Sequence, residues 1–407
     1  YISCNTNDVL IMDDISAEFS NLQGDPNQFI DLLQYPTVSG SEFFNNILSV
    51  TRSTSGTNFN KIEISDLILL SNGTKNVLVQ KSNLLNSGDG QINDINKEFV
   101  RYSIHEDKNI NVDSLRFAPA TNPDALNDVD YDIKLFTSEF NTESIGIGTS
   151  SIGPINLNSR NQLCSSGITT DILSVDKNEF ESLYATIHVV DIATDEMNLV
   201  ESYVSHTGTD TFITEKYINT DDNSLSLNRL GIVTSVISGS NLILKYENTG
   251  GNTLKLKSKV VGIGTTGTAN ETFRFKSAGQ EDGSERTSIY SGVSSSTNIG
   301  ICTFITLNSL LFNAAKSVVE VSIGASKAIH EVLFLHDGTD AYAQQSGSLS
   351  ISKDYTSEYD PSLGLGTFGA TLSGNKFKLQ FFPDNVSGVS TVVALNHSIY
   401  KEVDLGT

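Results

Sequence analysis

Tryptophan is missing from this 407-residue chain, and methionine (two), cysteine (three) and proline (seven) are scarce. Cys4, Cys164 and Cys302 stand far apart, with no CxxC pair and no Cys/His cluster. That spacing excludes a disulfide-rich scaffold and a zinc site of familiar form, and leaves buried free thiols as the expectation. No apolar run approaches the roughly 20 residues that a membrane-spanning helix needs. Positive charge is short as well: 26 basic residues face 48 acidic ones, for a formal net charge of −22. A surface this negative repels phosphate backbones and anionic lipid, so neither a nucleic acid nor a membrane is expected as partner. Charged residues of both signs make up only 18% of the chain. Solubility therefore rests on Asn, Ser, Thr and Gly, which fill the gaps between apolar runs. The chain starts at Tyr1 without an initiator Met, so we expect it to be the ordered or processed part of a longer product.

Helix-forming blocks of Ala, Glu, Lys and Leu are also scarce. The apolar runs are rich in Val, Ile, Thr and Tyr, which favour strands, and the segments between them carry turn residues. The class expected is all-β.

An internal repeat sharpens that expectation. EVLFLHDGTDAY (331–342) has counterparts in ESYVSHTGTD (201–210) and LILLSNGTKNVL (67–78). In each, an apolar strand meets two turn residues, then Gly-Thr, then Asp or Lys. The glycines are Gly73, Gly208 and Gly338, spaced by 135 and 130 residues (208 − 73 and 338 − 208). Downstream, ISGSNLILKY (237–246) matches LSGNKFKLQF (372–381), and SLRFAP (114–119) is the fainter first version. Leu242, Leu244 and Tyr246 then correspond to Phe377, Leu379 and Phe381 on half-buried strands of period two. The reading is three tandem diverged β-sandwich modules over 1–148, 149–265 and 266–407, the first including an N-terminal segment. Gly-rich stretches, SIGIGTSSIGP (144–154) and VGIGTTGTAN (261–270), read as flexible links between them. Residues 28–35, 41–48, 176–185 and 306–315 have apolar spacing that predicts short helical turns.

Motifs that carry chemistry are missing. There is no GxSxG, HExxH, DxDxDG or GxxxxGK[ST]. The GxG links lack the strand–GxGxxG–helix setting of a dinucleotide site. His336-Asp337 resembles a catalytic pair, but adjacent residues on a strand point to opposite faces. The same corner holds His206 in the second copy and Ser71 in the first, so a hairpin turn explains all three. On this reading Gly73, Gly208 and Gly338 are structural turn residues, and His336→Ser is expected to be tolerated. The acidic pairs Asp13-Asp14 and Asp221-Asp222, and the runs 127–132 and 279–285, read as solvated loops rather than Ca²⁺ sites. No catalytic, cofactor-binding or metal-ligating residue is expected.

FRFKSAGQEDGSERTSIYS (273–291), EVLFLHDGTDAY and LGTFGATLSGNKFKLQFFP (365–383) resemble repeats of virion structural proteins from marine tailed phages, contractile-tailed cyanophages above all. The GIGT links and residues 171–204 share the resemblance, which is strong over about 170–407 and weak over 1–60. It implies a virion component, such as a capsid decoration, neck, tail or fibre subunit, with other virion proteins and further copies of itself as partners. It implies no enzyme activity and no cofactor. The alternative is a host-recognition adhesin whose polar loops, such as 218–228 and 353–363, bind a cell-surface glycan or protein.

Overall fold

The computed structural model describes residues 14–23, 29–36, 43–53, 62–86, 100–107, 112–119, 130–140, 146–152, 155–219, 229–264, 271–274, 287–293, 301–323, 326–351, 365–383 and 390–400. The described elements are all strands, and every pairing between them is antiparallel.

The first copy holds β1 (Asp14–Gln23), β2 (Ile30–Pro36), β3 (Phe43–Ser53), β4 (Ile62–Ser71), β5 (Asn76–Asn86), β6 (Val100–Asp107), β7 (Val112–Pro119) and β8 (Asp130–Phe140). They form a large sheet ordered β1-β8-β3-β4-β5 and a small one ordered β2-β7-β6. In the second copy come β9 (Gly146–Ile152), β10 (Ile155–Cys164), β11 (Thr169–Asp176), β12 (Phe180–Asp191), β13 (Met197–His206), β14 (Thr211–Asn219), β15 (Gly231–Ser238), β16 (Asn241–Asn248) and β17 (Leu254–Gly264). Their sheets run β14-β13-β12-β17-β10-β9 and β11-β16-β15. The third copy holds β18 (Glu271–Arg274), β19 (Thr287–Val293), β20 (Cys302–Asn308), β21 (Phe312–Ile323), β22 (Ser326–His336), β23 (Ala341–Ile351), β24 (Gly366–Ser373), β25 (Lys376–Pro383) and β26 (Ser390–Tyr400). Its sheets are β18-β19-β26-β21-β22-β23 and β20-β25-β24. Apart from the added edge strands β9 and β18, all three copies share one eight-strand connectivity.

Each copy closes a sandwich core between its two sheets. The repeated apolar positions supply it: Leu115 and Phe117, Leu242, Leu244 and Tyr246, and Phe377, Leu379 and Phe381 are fully buried. Two expectations from the sequence do not survive. The stretches expected as helical turns are β2, the start of β3, the β11–β12 hairpin and the β20–β21 hairpin. Strands buried on both faces carry nearly continuous apolar residues, and such runs imitate helical spacing. Nor is the first Gly-rich stretch a free link, since Gly146–Ile152 pairs along β10. Residues Val261–Gly264 of the second stretch extend β17.

The strand before each Gly-Thr corner is buried along nearly its whole length. All ten residues of β4 and of β13 are buried, as are the last nine of β22. One face of each strand looks into its own sandwich; the other packs against another copy. Phe44, Ile68 and Leu70 of the first copy pack on Leu199 of the second. Tyr184 and Tyr203 of the second pack on Val318 and Ile329 of the third. Ala314, Leu333 and Leu335 of the third pack on Val50, Ile62 and Ile64 of the first. Ile68, Tyr203 and Leu333 are equivalent positions, and so are Leu199, Ile329 and Ile64. Each junction thus sets the C-terminal half of one strand against the N-terminal half of its counterpart in the next copy. Head-to-tail contacts of this kind either propagate or close, and here three suffice to close a ring with approximate threefold symmetry.

The Gly-Thr corners lie at these strand ends. Gly73, Gly208 and Gly338 have φ of 85°, 96° and 100°, in a region that glycine enters at little cost. The backbone N–H of Gly208 donates to His206 Nδ1 (2.9 Å), that of Gly338 to His336 Nδ1 (3.2 Å), and that of Gly73 to Ser71 Oγ (3.1 Å). With Nδ1 accepting, each histidine carries its proton on Nε2, which donates to Phe180 O (2.8 Å) or Phe312 O (2.6 Å). At the first corner Asn72 Nδ2 donates to Asp195 O (2.8 Å) across the junction, so the corner also docks one copy on the next.

His336 therefore has a second task that a serine does not perform. His336→Ser keeps a partner for the Gly338 N–H but removes the donor to Phe312 O, and should cost about 1–3 kcal/mol. A Cβ at Gly338 meets nothing within 4 Å, so Gly338→Val should cost about 1–3 kcal/mol through backbone strain alone. Urea denaturation midpoints of the two variants check both values.

Candidate functional site

Five residues upstream of each corner stands an acid: Asp66 on β4, Glu201 on β13 and Glu331 on β22 (71 − 66, 206 − 201, 336 − 331). All three are about 1% exposed or less. They sit on the outer face of their sandwiches, at the place where the three copies meet. Lys81 of β5 reaches all of them. Its Nζ pairs with Glu201 Oε1, lies 3.1 Å from both oxygens of Glu331 and 3.7 Å from Asp66 Oδ2, and donates to Tyr184 Oη at 2.9 Å.

A second cation, Lys316 of β21, contacts Asp66 Oδ2 at 2.6 Å and Glu331 Oε1 at 3.0 Å. Two tyrosines complete the cluster. Tyr184 Oη donates to Glu201 Oε1 (2.9 Å) and Tyr203 Oη to Glu331 Oε2 (2.5 Å). At the rim, the half-exposed Lys216 lies 3.9 Å from Glu201 Oε2. Three carboxylates thus meet two buried ammonium groups and one at the edge, and the formal charge closes to zero.

Local structure explains why Lys81 alone is central. Opposite Asp66 the β4–β5 register skips a residue: Asp66 pairs with Ser82 and Leu67 with Gln80, leaving Lys81 as the extra residue of a bulge. A bulge re-aims the side chain it carries. In the second copy the ladder is regular, and the equivalent Lys216 pairs in register with Glu201 and remains half exposed. The third copy is bulged at the same place, between the partners of Glu331 and Val332, but carries Ser346 there.

Burial opposes the charge on Lys81, yet Glu331, Tyr184, Asp66 and Glu201 outweigh it and hold the pKa well above its ordinary value. Burial likewise opposes the charge on Glu331, and here Lys316, Lys81 and the Tyr203 hydroxyl win, so its pKa lies below the carboxylate range. Tyr184 and Tyr203 are pushed up, first by burial and then by the neighbouring carboxylates. The shifts of Lys81 and Glu331 describe ions held in place by their neighbours.

Away from the axis the three junctions differ. Equivalent positions pair Phe44 with His188 (edge contact, 6.4 Å) and Ser182 with Glu320, and bring Ala314 and Val50 into one apolar cluster. Burial is the main influence on both ionisable members. It lowers the His188 pKa to about 3, helped by Lys257 and Lys255. It raises Glu320 to about 8, against its Ser182 hydrogen bond and with Glu181 adding to the rise. His330 is also buried and lowered to about 4, and His105 is exposed.

Of the residues singled out from sequence, Gly73, Gly208 and Gly338 stand at the corners, with His206 and His336 as their caps. Cys164 and Cys302 are free and buried. Cys4, Asp13, Asp221, Asp222 and the segments 127–129, 220–228, 279–285 and 353–363 lie outside the described residues. Among the described residues no group of three His, Cys, Asp or Glu is arranged to hold a metal ion. The ionic cluster itself escaped the sequence reading. Its signal was the acid at one fixed offset inside three apolar strands.

Compared with protein-family models, curated proteins and solved structures, the chain matches none.

Removing one partner from a buried ion cluster leaves charge uncompensated, so Lys81→Met should cost about 3–5 kcal/mol. Urea unfolding should show that loss and a broadening or splitting of the transition, since Lys81 contacts all three copies. Glu320 provides the pH test. Its folded pKa exceeds the unfolded value, so its contribution is fully present below pH 4.5 and is lost as pH rises through about 8. Glu320→Gln should flatten the stability curve across that window and raise the melting temperature at pH 8, as thermal melts from pH 5 to 9 would record.

Proposed function

We propose that the chain is a structural subunit of a tailed-phage virion, acting by self-assembly and by attachment to other virion proteins. The observation that carries this reading is the ring of three like sandwiches around a buried axis. Among the described residues, the ionic cluster around Lys81 lies buried where the copies meet and joins them to one another. Such an object supplies shape and rigidity. The net charge of −22 keeps its outer surface soluble and discourages binding to packaged nucleic acid. The resemblance of residues 273–291, 331–342 and 365–383 to repeats of phage structural proteins supports the same assignment and rests on those residues alone.

On this reading the chain resides in the virion, as a capsid decoration, neck, tail or fibre component, with homo-oligomeric contacts and no cofactor. The competing reading is a host-recognition adhesin. A density map of the particle distinguishes the two. Many copies arrayed over the capsid or along the tail are expected; copies confined to a distal, receptor-contacting tip would replace the subunit reading with the adhesin.

A further inference from the structure

Two of the three ring junctions join copies that follow one another in sequence, β8 leading into the second copy and β17 into the third. The third junction, between the third copy and the first, has no such connection. It is also where Lys316 meets Asp66. The pair departs from the repeat on both sides. The position of Lys316 holds Asn46 and Tyr184 in the other copies, and Asp66 stands where the others have glutamate.

The local geometry is that of a condensation site. Lys316 Nζ lies 2.6 Å from Asp66 Oδ2 and 3.0 Å from Glu331 Oε1, so one amine touches both a carboxyl and a second carboxylate. The Asp66 side chain is 1% exposed and that of Lys316 12%. Among the described residues Asp66 Oδ1 has no hydrogen-bond partner. Fixed placement at contact distance replaces a bimolecular encounter with a unimolecular step. The product removes one buried cation and one buried anion, each of which costs several kcal/mol to desolvate. Lys81 stays behind with Glu331, and Lys216 with Glu201, so the cluster remains neutral.

We propose that Lys316 and Asp66 condense into an intramolecular amide, with Glu331 moving the proton, and that this bond closes the ring covalently. The ammonium first gives a proton to Asp66 Oδ2, leaving a free amine and a carboxylic acid. The amine attacks Asp66 Cγ and the Nζ–Cγ bond forms. Glu331 takes a proton from the nitrogen and returns it to the departing hydroxyl. The Cγ–Oδ2 bond breaks, water leaves, and Glu331 is again a carboxylate. Nothing is oxidised or reduced and no co-reactant enters. The bond does not depend on the virion assignment, and its test involves no particle.

Intact-mass spectrometry of the purified full chain, unfolded after incubation in its native state, provides the test. The expected mass is lower than that of the sequence by one water. Tryptic mapping should join the peptide containing Asp66 to the one containing Lys316, with cleavage after Lys316 lost. Lys316→Arg, which keeps the charge, and Asp66→Ala should both have unmodified mass. Glu331→Gln, with circular dichroism verifying its fold, should leave most of the chain unlinked. A folded wild-type chain at its full sequence mass would overturn the proposal, and so would a linkage that maps to Lys81.

Discussion

Three carboxylates placed inside apolar strands are tolerable only if cations meet them there, and Lys81 is the cation that meets all three. Burying a carboxylate without a partner costs several kcal/mol. Asp66, Glu201 and Glu331 each have one lysine of their own sandwich within 4 Å, namely Lys81, Lys216 and Lys316. Each gains a second lysine when the copies come together, Lys316 at Asp66 and Lys81 at Glu201 and Glu331. The β-bulge at Lys81 permits this, by turning one side chain of β5 toward the axis in a ladder that is otherwise regular. The arrangement adds little net stability over an apolar plug of the same size. What it contributes is a requirement that all three copies be present and in register.

The order of the copies is specified separately. A ring of identical head-to-tail junctions would let any copy follow any other. Here an aromatic–imidazole contact, a hydroxyl–carboxyl contact and an aliphatic contact occupy the same place in the three junctions. Docking the wrong copy would set His188 or Glu320 against an unsuitable neighbour, a cost that discriminates between partners. The ionisable members are held uncharged by burial, which is compatible with apolar surroundings near neutral pH. The ring thus combines a shared centre with distinct edges.

Much of the fold was legible in the chain. The repeat, the alternation on the small-sheet strands and the corner glycines each follow from local rules, and Leu242, Leu244 and Tyr246 occupy the core as period two requires. The errors have separate causes. β3, β12 and β21 are covered on both sides, so their apolar residues lack clean alternation and imitate a helix. Gly146–Ile152 reads as a spacer because its few side chains carry no pattern, yet its backbone pairs along β10.

The ionic centre marks the limit of that legibility. Alternation along a strand states which residues share a face, and Asp66, Glu201 and Glu331 share theirs with Ile68, Tyr203 and Leu333, opposite each sandwich core. It does not state what covers that face. In an isolated sandwich these acids would meet water, as charged residues on an outer face ordinarily do. Only the closing of the ring makes the face interior, because contacts between residues 250 positions apart, such as Lys81 with Glu331, are set by packing and leave no trace in local pattern.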